Sequence, residues 1–206
     1  MENNRCVVTC AFREPYVTHH NNQIKLIKEP VISFVDCLPY GEGVVRSGVV
    51  ERFQRSLYGF KPWAVKRALD EGYTKIIWFD PSVLPVDSVT SLFDELDNHS
   101  MLIRPGANTL DQMTSLNALN WFGVSMETAR TLKHIGGTIY GFNFDMPRTR
   151  ECFDLWLKAE QEGIFGDQEA FMNGHWADES CMSLAMFKTG VEFVATNFKY
   201  KNQKEC

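Results

Sequence analysis

An apolar run that ends in a carboxylate constrains the fold of this chain more than any other segment. Ile76–Phe79 is a stretch of four consecutive apolar residues, typical of a strand buried on both faces inside a parallel sheet. Asp80 follows directly, and Pro81 cannot continue a central ladder. In open α/β sheets, ligands bind outside the carboxyl ends of the strands. Asp80 is therefore predicted to lie at a ligand site, although Asp before Pro also commonly begins a turn.

The composition is that of one soluble domain. The chain has 206 residues, of which 44% are hydrophobic and 23% charged, as is ordinary for a globular protein. The net charge of −5 argues against a general nucleic-acid-binding protein, which would carry a basic face. A local basic pocket for a phosphorylated small molecule remains compatible with this charge.

The cysteines and the apolar runs indicate a location in the cytoplasm. The six cysteines form no Cys-x-x-Cys pair, and neither Cys nor His shows the spacing of a structural zinc site. The chain opens without a signal peptide, and its apolar runs are too short to cross a bilayer. We expect reduced thiols in a cytoplasm, or in that of a host cell if the chain is viral or from a phage.

Strand-like and helix-like segments alternate along the chain, which predicts an α/β fold. Proline at position 62 suits a first helical position, and Gly72 ends that helix. The last residues, 199–206, carry no core signal and are predicted to be a mobile tail. The predicted strands cover residues 6–12, 31–37, 76–80, 101–104, 138–144 and 191–195. The predicted helices cover about 62–71, 87–96, 110–133 (two pieces broken near residue 123), 148–162 and 178–189.

A second group of polar residues precedes and opens the last predicted helix. Asp178 and Glu179 stand at its amino end, where the macrodipole favours acidic residues by about 0.3–1 kcal/mol each. This preference alone explains one of the two carboxylates. His175 and Trp176 come just before them; the His is an available metal ligand or proton carrier, and the Trp offers a flat face to a sugar or a base.

The order of these features resembles that of nucleotide-sugar glycosyltransferases of the GT-A fold. Ile76–Ser82 resembles the strand and acidic metal-binding motif of that superfamily, usually Asp-x-Asp, and Gly59–Trp63 resembles the Lys-Pro segment that precedes it in several families. Ala177–Ser180 resembles the acidic pair that opens a late helix. Gly136–Asn143 resembles the glycine-bearing segment that lines the donor-sugar and acceptor site.

The resemblance implies a single GT-A-like, Rossmann-like domain over residues 1–198, followed by the tail. Its mixed, mostly parallel sheet would be flanked by helices. Residues up to about 82 would form the nucleotide-binding half, and residues from about 83 to 198 the sugar and acceptor half.

The resemblance also implies a divalent metal, Mn²⁺ or Mg²⁺, held by Asp80. The chain departs from the Asp-x-Asp pattern because Ser82 replaces the second acid. Magnesium tolerates this, since it keeps several waters and takes only one or two carboxylates. His175 or Asp178 would complete the coordination shell.

Three further groups of site residues follow from the resemblance and from position. Asp178 and Glu179 are the candidate catalytic carboxylates, one of which would deprotonate the acceptor hydroxyl if the reaction inverts the anomeric centre. The candidates for nucleotide or diphosphate binding are Thr9, Ala11, Arg13, Asp36, Arg55, Lys61 and Asp80, with Arg52 as a further cation. The candidates for the sugar and acceptor are Gly137, Asn143 and Trp176.

The predicted function is therefore metal-assisted transfer of a sugar from a nucleoside-diphosphate donor, UDP-linked, to a hydroxyl on a glycan or glycoprotein. One alternative is a catalytically inactive nucleotide- or glycan-binding domain, which Ser82 favours. Another is a nucleotidyltransferase, but that class carries a glycine-rich loop after its first strand, and Ala11–Tyr16 contains no glycine. Neither a nucleic acid nor a membrane is an expected partner.

Overall fold

The apolar run before Asp80 forms an inner strand of a six-stranded sheet. The computed structural model describes residues 4–36, 56–166 and 168–203. The strands within these ranges are β1 (Arg5–Ala11), β2 (Val31–Val35), β3 (Lys75–Phe79), β4 (Val83–Pro85), β5 (Met101–Thr109), β6 (Lys133–Asn143), β7 (Phe193–Ala195) and β8 (Tyr200–Asn202). The sheet order is β2-β1-β3-β6-β5-β7, while β4 and β8 form a separate antiparallel pair.

The sheet is mixed, with three parallel pairs and one reversed strand. β1 runs parallel to both β2 and β3, and β5 runs parallel to β7. β6 is antiparallel to its two neighbours, β3 and β5. The carboxyl ends of β1, β2 and β3 therefore meet the amino-terminal half of β6 at one edge of the sheet, and this edge is where Asp80 lies.

Helices cover both faces of the sheet and are mostly short. α2 contains Pro62 in its first turn, and α7 begins at Pro147. Proline is tolerated there because the first N–H groups of a helix have no partner within it. The helices of the described residues are α1 (Tyr16–Ile24), α2 (Phe60–Asp70), α3 (Thr90–Leu96), α4 (Leu110–Met113), α5 (Leu116–Phe122), α6 (Met126–Ala129), α7 (Pro147–Gln161), α8 (Gln168–Met172) and α9 (Ala177–Thr189).

The uninterrupted apolar run in β3 is explained by two hydrophobic cores, one on each face of the sheet. Ile76 and Trp78 point into the core that α2, α7 and α9 cover. Ile77 and Phe79 point into the opposite core, which α3 covers. All four side chains are fully buried. Period-two alternation of polar residues is absent because neither face of this strand meets water.

The structure confirms the predicted α/β class and corrects several boundaries. β6 begins at Lys133 instead of residue 138, because Gly136 and Gly137 lie inside the strand and not before it. The segment 110–133 contains three short helices instead of two pieces. α1 was not predicted, since its mean hydropathy is low and its buried side chains, His20 and Gln23, are polar.

The carboxyl-terminal segment, predicted to be a mobile tail, forms β8. Tyr200 pairs with Pro85 and Asn202 with Val83, and the backbone N–H of Gln203 donates to the carbonyl of Ser82 at 2.9 Å. Backbone pairing with β4 thus orders residues whose side chains carry no hydrophobic pattern.

Two further properties of the described residues concern the cysteines and the length of the helices. The cysteines at positions 6, 152 and 181 are buried free thiols. Among the helices in the described ranges, none is both long and apolar enough to cross a bilayer.

Substitution of Gly141 by alanine is expected to destabilise the sheet by about 1–3 kcal/mol, because a Cβ there would overpack the core. The added carbon would lie 2.8 Å from Cβ of Leu102 on the neighbouring strand. Gly136→Ala on the same strand is the matched control, since its Cβ would meet Arg104 at an ordinary 3.8 Å. Urea denaturation of both variants measures the difference, and equal destabilisation would contradict the packing described for β5 and β6.

Candidate functional site

Asp80 lies at the edge where β1, β2 and β3 end, and hydrogen bonds fix both its backbone N–H and its carbonyl. Its N–H donates to the carbonyl of Thr138 in β6 at 2.9 Å. Its carbonyl accepts a hydrogen bond from Nε2 of Gln23 at 2.7 Å, and the same nitrogen donates to the carbonyl of Val83. The turn after β3 is therefore fixed between β6 and α1, and the carboxylate of Asp80 has a defined position.

Ser82 orients the carboxylate of Asp80 from within the same turn. Oδ1 of Asp80 accepts the Ser82 backbone N–H at 3.0 Å and the Ser82 hydroxyl at 2.8 Å. Ser82 is itself buried. Oδ2 of Asp80 accepts no hydrogen bond from the residues that the structure describes. The residue that replaces the second acid thus occupies one oxygen of Asp80 and leaves the other for a ligand.

Asp178 forms a buried ion pair with Lys61. Nζ of Lys61, on α2, lies 2.7 Å from Oδ2 of Asp178, in the first turn of α9, and both side chains are at most 3% exposed. The same Nζ donates to the carbonyl of Gly137 at 3.1 Å. The hydroxyl of Tyr140 also donates to Oδ2 of Asp178, at 3.3 Å. Both ions are satisfied within the protein.

Lys61 was predicted to contact the diphosphate, and the structure gives it another role. Its ammonium group lies 5.0 Å from the ring centre of Tyr58, 5.7 Å from that of Trp78 and 5.9 Å from that of Tyr140. Aromatic faces attract a cation at such distances. Enclosed by these rings and bonded to Asp178, the ammonium acts on the carboxylate cluster and does not face solvent.

Glu179 is the accessible member of the acidic pair. Its side chain is 18% exposed, against 2% for Asp178. Oε1 accepts the backbone N–H of Gly137 at 2.7 Å, and Oε2 lies 3.8 Å from Nδ1 of His134. A Cβ on Gly137 would lie 2.8 Å from Cγ of Glu179, so only glycine lets β6 pass this close to α9.

The cluster of Lys61, Asp80, Asp178 and Glu179 has more negative than positive charge, with three carboxylates around one ammonium. Burial raises the pKa of Asp178 despite its bond to Lys61. Burial and the charge of Asp178 raise the pKa of Glu179 to about 7, and Asp80 adds to this shift. Burial alone lowers the pKa of Lys61, but the three carboxylates together raise it.

His134 supplies no positive charge to this cluster. Burial, followed by the neighbouring His175, lowers the pKa of His134 to about 4, so the ring is neutral at physiological pH. Tyr140 is likewise uncharged, because burial raises its pKa well above the ordinary value. Neither residue was predicted as part of the site, although Tyr140 lies in the predicted glycine-bearing strand, on the face that packs against α9.

His175 was predicted as a metal ligand, and the structure shows both ring nitrogens engaged by backbone groups. Nε2 lies 2.9 Å from the carbonyl of Ile164, and Nδ1 accepts the backbone N–H of Ser115 at 3.3 Å. The side chain is 1% exposed. With a proton on Nε2 and a backbone donor on Nδ1, the ring has no lone pair for an ion, and it fixes the loop before α9.

Asn143 was predicted to line the sugar and acceptor site, and it lies at the wrong end of the sheet. It pairs with Lys75 at the start of β3, whereas Asp80 follows the end of that strand. Its amide donates to the carbonyl of Leu96 and accepts the N–H of Asp145. The side chain is buried and closes the loop after β6.

Trp176 lies beside the carboxylate cluster and remains 41% exposed. Its ring centre is 6.4 Å from that of His134 and 5.7 Å from that of Phe171. Its backbone N–H donates to the carbonyl of Met113. The indole therefore packs against neighbouring rings on one side and is exposed to solvent on the other. The exposed side is the flat face that the sequence predicted for a sugar or a base.

The predicted nucleotide-binding residues of β1 and β2 are brought together at the same edge. The backbone N–H of Arg13 donates to Oδ1 of Asp36 at 2.9 Å, and the N–H of Asp36 donates to the carbonyl of Ala11. Thr9 is buried in β1, and its hydroxyl has no hydrogen-bond partner among the described residues. Arg55 and Arg52, the other predicted cations, lie outside the described residues.

A metal ion at Asp80 would draw most of its ligands from outside the protein. Within the described ranges, no group of three or more His, Cys, Asp or Glu side chains is arranged to hold an ion. The available donor is Oδ2 of Asp80, next to the excess negative charge of Asp178 and Glu179. A single carboxylate ligand among other negatively charged side chains fits magnesium, which keeps several water ligands and also binds substrate phosphates.

Comparison with known proteins bears on the fold alone. No family model matches the chain, and no curated protein matches it. The chain is similar in structure to apo mouse xyloside xylosyltransferase 1, with a TM-score of 0.54 and 12% identity over 93% of this chain and 84% of that one.

Two further solved structures match at lower TM-scores. A galactosyltransferase, LgtC, in complex with donor and acceptor sugar analogs gives 0.46 with 13% identity over 93% of this chain and 73% of that one. A protein from Desulfovibrio desulfuricans G20, assigned as a nucleotide-diphospho-sugar transferase, gives 0.49 with 10% identity over 94% and 80%. The mixed six-stranded sheet and the match to the xylosyltransferase confirm the predicted fold: the chain has a GT-A-like fold.

Proposed function

We propose that the chain transfers a sugar from a nucleoside-diphosphate donor, UDP-linked, to a hydroxyl of a glycan or glycoprotein acceptor. The observation that carries this proposal is the carboxylate cluster around Lys61, at the edge where three parallel strands end. Ligands of open α/β sheets bind at such an edge. The xylosyltransferase that shares the fold supports the same class of reaction.

The donor diphosphate would be held at Asp80 through Mn²⁺ or Mg²⁺. When bound, the ion supplies a Lewis acid that neutralises the charge developing on the leaving diphosphate. Oδ2 of Asp80 is the protein ligand. Ser82 donates two hydrogen bonds to Oδ1 and so fixes the orientation of the carboxylate. Burial, with the neighbouring carboxylates, raises the pKa values of Asp178 and Glu179, and the excess of carboxylates over ammonium groups favours a divalent cation at this place.

The nucleoside would lie over the ends of β1 and β2. Arg13 and Asp36 form the rim there, with Thr9 and Ala11 behind them. The backbone of Arg13 and Asp36 takes positive φ values of 56° and 49°, which residues other than glycine adopt rarely. Such conformations cluster at ligand-binding sites, and this pair is where we place the contacts to the base and ribose.

Glu179 is the residue that we assign to the acceptor hydroxyl. Asp178 is enclosed and bonded to Lys61, whereas Glu179 is partly exposed. A pKa of about 7 suits a general base at neutral pH. If the anomeric centre inverts, Glu179 takes the hydroxyl proton while the oxygen bonds to the anomeric carbon and the bond to the diphosphate breaks. Trp176 would then provide the flat face beside the acceptor sugar.

Nucleotide binding tests this proposal by thermal unfolding with UDP, GDP and CMP, each with and without Mn²⁺. UDP with Mn²⁺ is expected to stabilise most, by about 2.7 kcal/mol at 100 times its dissociation constant. Asp80→Asn is expected to remove the Mn²⁺-dependent part, whereas Asp94→Asn, a change of the exposed carboxylate on α3, leaves it intact. Absence of a shift with any nucleotide would refute the proposal.

Hydrolysis of the preferred nucleotide sugar distinguishes an enzyme from an inactive binding domain. Slow, Mn²⁺-dependent release of free sugar is expected from the unaltered chain and not from Asp80→Asn. Binding of the nucleotide without any hydrolysis or transfer would instead assign the chain to the class of inactive nucleotide-binding domains.

The pH dependence of stability tests the environment of Glu179. A carboxyl whose pKa rises from 4.5 to about 7 on folding holds its proton more tightly in the folded chain. The unaltered chain should therefore lose about 3 kcal/mol of unfolding free energy, relative to Glu179→Gln, as the pH rises from 4.5 to 7. Urea titrations at half-unit pH intervals measure this. Parallel curves for the two proteins would show that Glu179 is not desolvated.

A further inference from the structure

An open cavity lined by two cations lies where β8 and the segment before it meet Arg104 of β5. Its volume is about 450 Å³, within the range of small-molecule sites and too large for a single bare ion. No acidic residue is among those that line it, although the chain as a whole has a charge of −5. The lining residues are Arg104, Asn197, Phe198, Lys199, Tyr200 and Asn202.

Arg104 is held in place within this cavity and keeps donors to spare. Its Nη1 donates to the carbonyl of Phe198 at 3.2 Å, and its guanidinium lies 4.9 Å from the ring centre of Tyr200. A guanidinium has five N–H donors in a planar fork that matches the oxygens of carboxylates and phosphates. In the described part of the chain, no carboxylate forms an ion pair with Arg104 or with Lys199.

The cavity is connected to Asp80 through two short contacts. The hydroxyl of Tyr200 lies 3.5 Å from that of Thr138, whose carbonyl accepts the backbone N–H of Asp80. Asn202 pairs with Val83, whose backbone N–H donates to the carbonyl of Asp80. This hydrogen bond closes the turn from Asp80 to Val83, so the lining of the cavity is joined to the segment that carries Asp80.

We propose that this cavity binds a sugar that carries an oxyanion, as a unit of the acceptor glycan other than the sugar whose hydroxyl meets Glu179. Arg104 and Lys199 bind the charged group, which is a carboxylate, phosphate or sulfate. The side chain of Asn197 has both donors and an acceptor and suits sugar hydroxyls. Binding in the cavity stands on its own residues, and only the role as acceptor rests on the proposed function.

Calorimetric titration of the full chain with matched sugars tests the proposal. Glucuronate, glucose 6-phosphate and glucose 6-sulfate carry the three kinds of oxyanion, and glucose and inorganic phosphate supply the ring and the ion alone. At least one anionic sugar is expected to bind tenfold or more tightly than both glucose and inorganic phosphate, because the charge-assisted contacts add to those of the ring. Equal affinity for anionic sugars and glucose would overturn the proposal.

Substitution of the two cations tests whether the anionic sugar binds in the cavity. Lys199→Gln, at an exposed position, and Arg104→Gln are each expected to weaken the anionic sugar about tenfold and to leave glucose unchanged. Lys188→Gln, which removes an exposed cation from the last turn of α9, is the control. If Arg104→Gln disturbs the fold, Lys199→Gln and the charge reversal Lys199→Glu still decide the result. A preference that survives both Lys199 variants refutes the assignment.

Competition with UDP separates this site from that of the donor. The anionic sugar is expected to bind with the same affinity when UDP and Mn²⁺ are present. If UDP displaces it, the cations belong to the diphosphate site and the proposal is wrong. Failure of the proposed function appears separately, as absence of any effect of nucleotides on thermal unfolding.

Discussion

The buried ion pair between Lys61 and Asp178 joins the elements from which the site is built. Lys61 belongs to α2 and Asp178 to α9, and the same ammonium binds the carbonyl of Gly137 in β6. Removing one partner of a buried pair leaves an uncompensated charge and typically costs 3–5 kcal/mol. The three elements are therefore constrained to one arrangement, and this arrangement sets where Glu179 lies.

The same pair leaves the site electrostatically incomplete. One ammonium stands among three carboxylates, and burial together with the neighbouring carboxylates raises the pKa values of Asp178 and Glu179. A chain selected for stability alone would not keep such an excess of buried negative charge, since functional sites are commonly retained at a cost in stability. Under the proposed function, a divalent cation would offset this excess, and its binding would be coupled to stability through the charge of this cluster.

The sequence predicted where a residue lies in the fold when the pattern is local, and it failed when the partner of that residue is distant along the chain. The apolar run before Asp80 and the acidic pair of α9 can each be recognised from a few neighbouring residues. Both lie near the edge of the sheet where β3 ends. Lys61 and His175 were assigned to ligands because their partners, Asp178 and the carbonyl of Ile164, are close only after folding. Asn143 was misplaced because β6 runs antiparallel, which takes its end away from Asp80.

The structure gives a physical reason for serine at position 82. This residue is 2% exposed and contacts Asp80, so a carboxylate there would be a buried anion next to that of Asp80, which is costly without a counter-ion. A hydroxyl avoids that charge and donates to Oδ1 of Asp80, and it thereby fixes the direction of Oδ2. Asp178 and Glu179 already provide the negative potential that a second acid would bring. The departure from Asp-x-Asp is thus consistent with a site whose remaining carboxylates lie on α9.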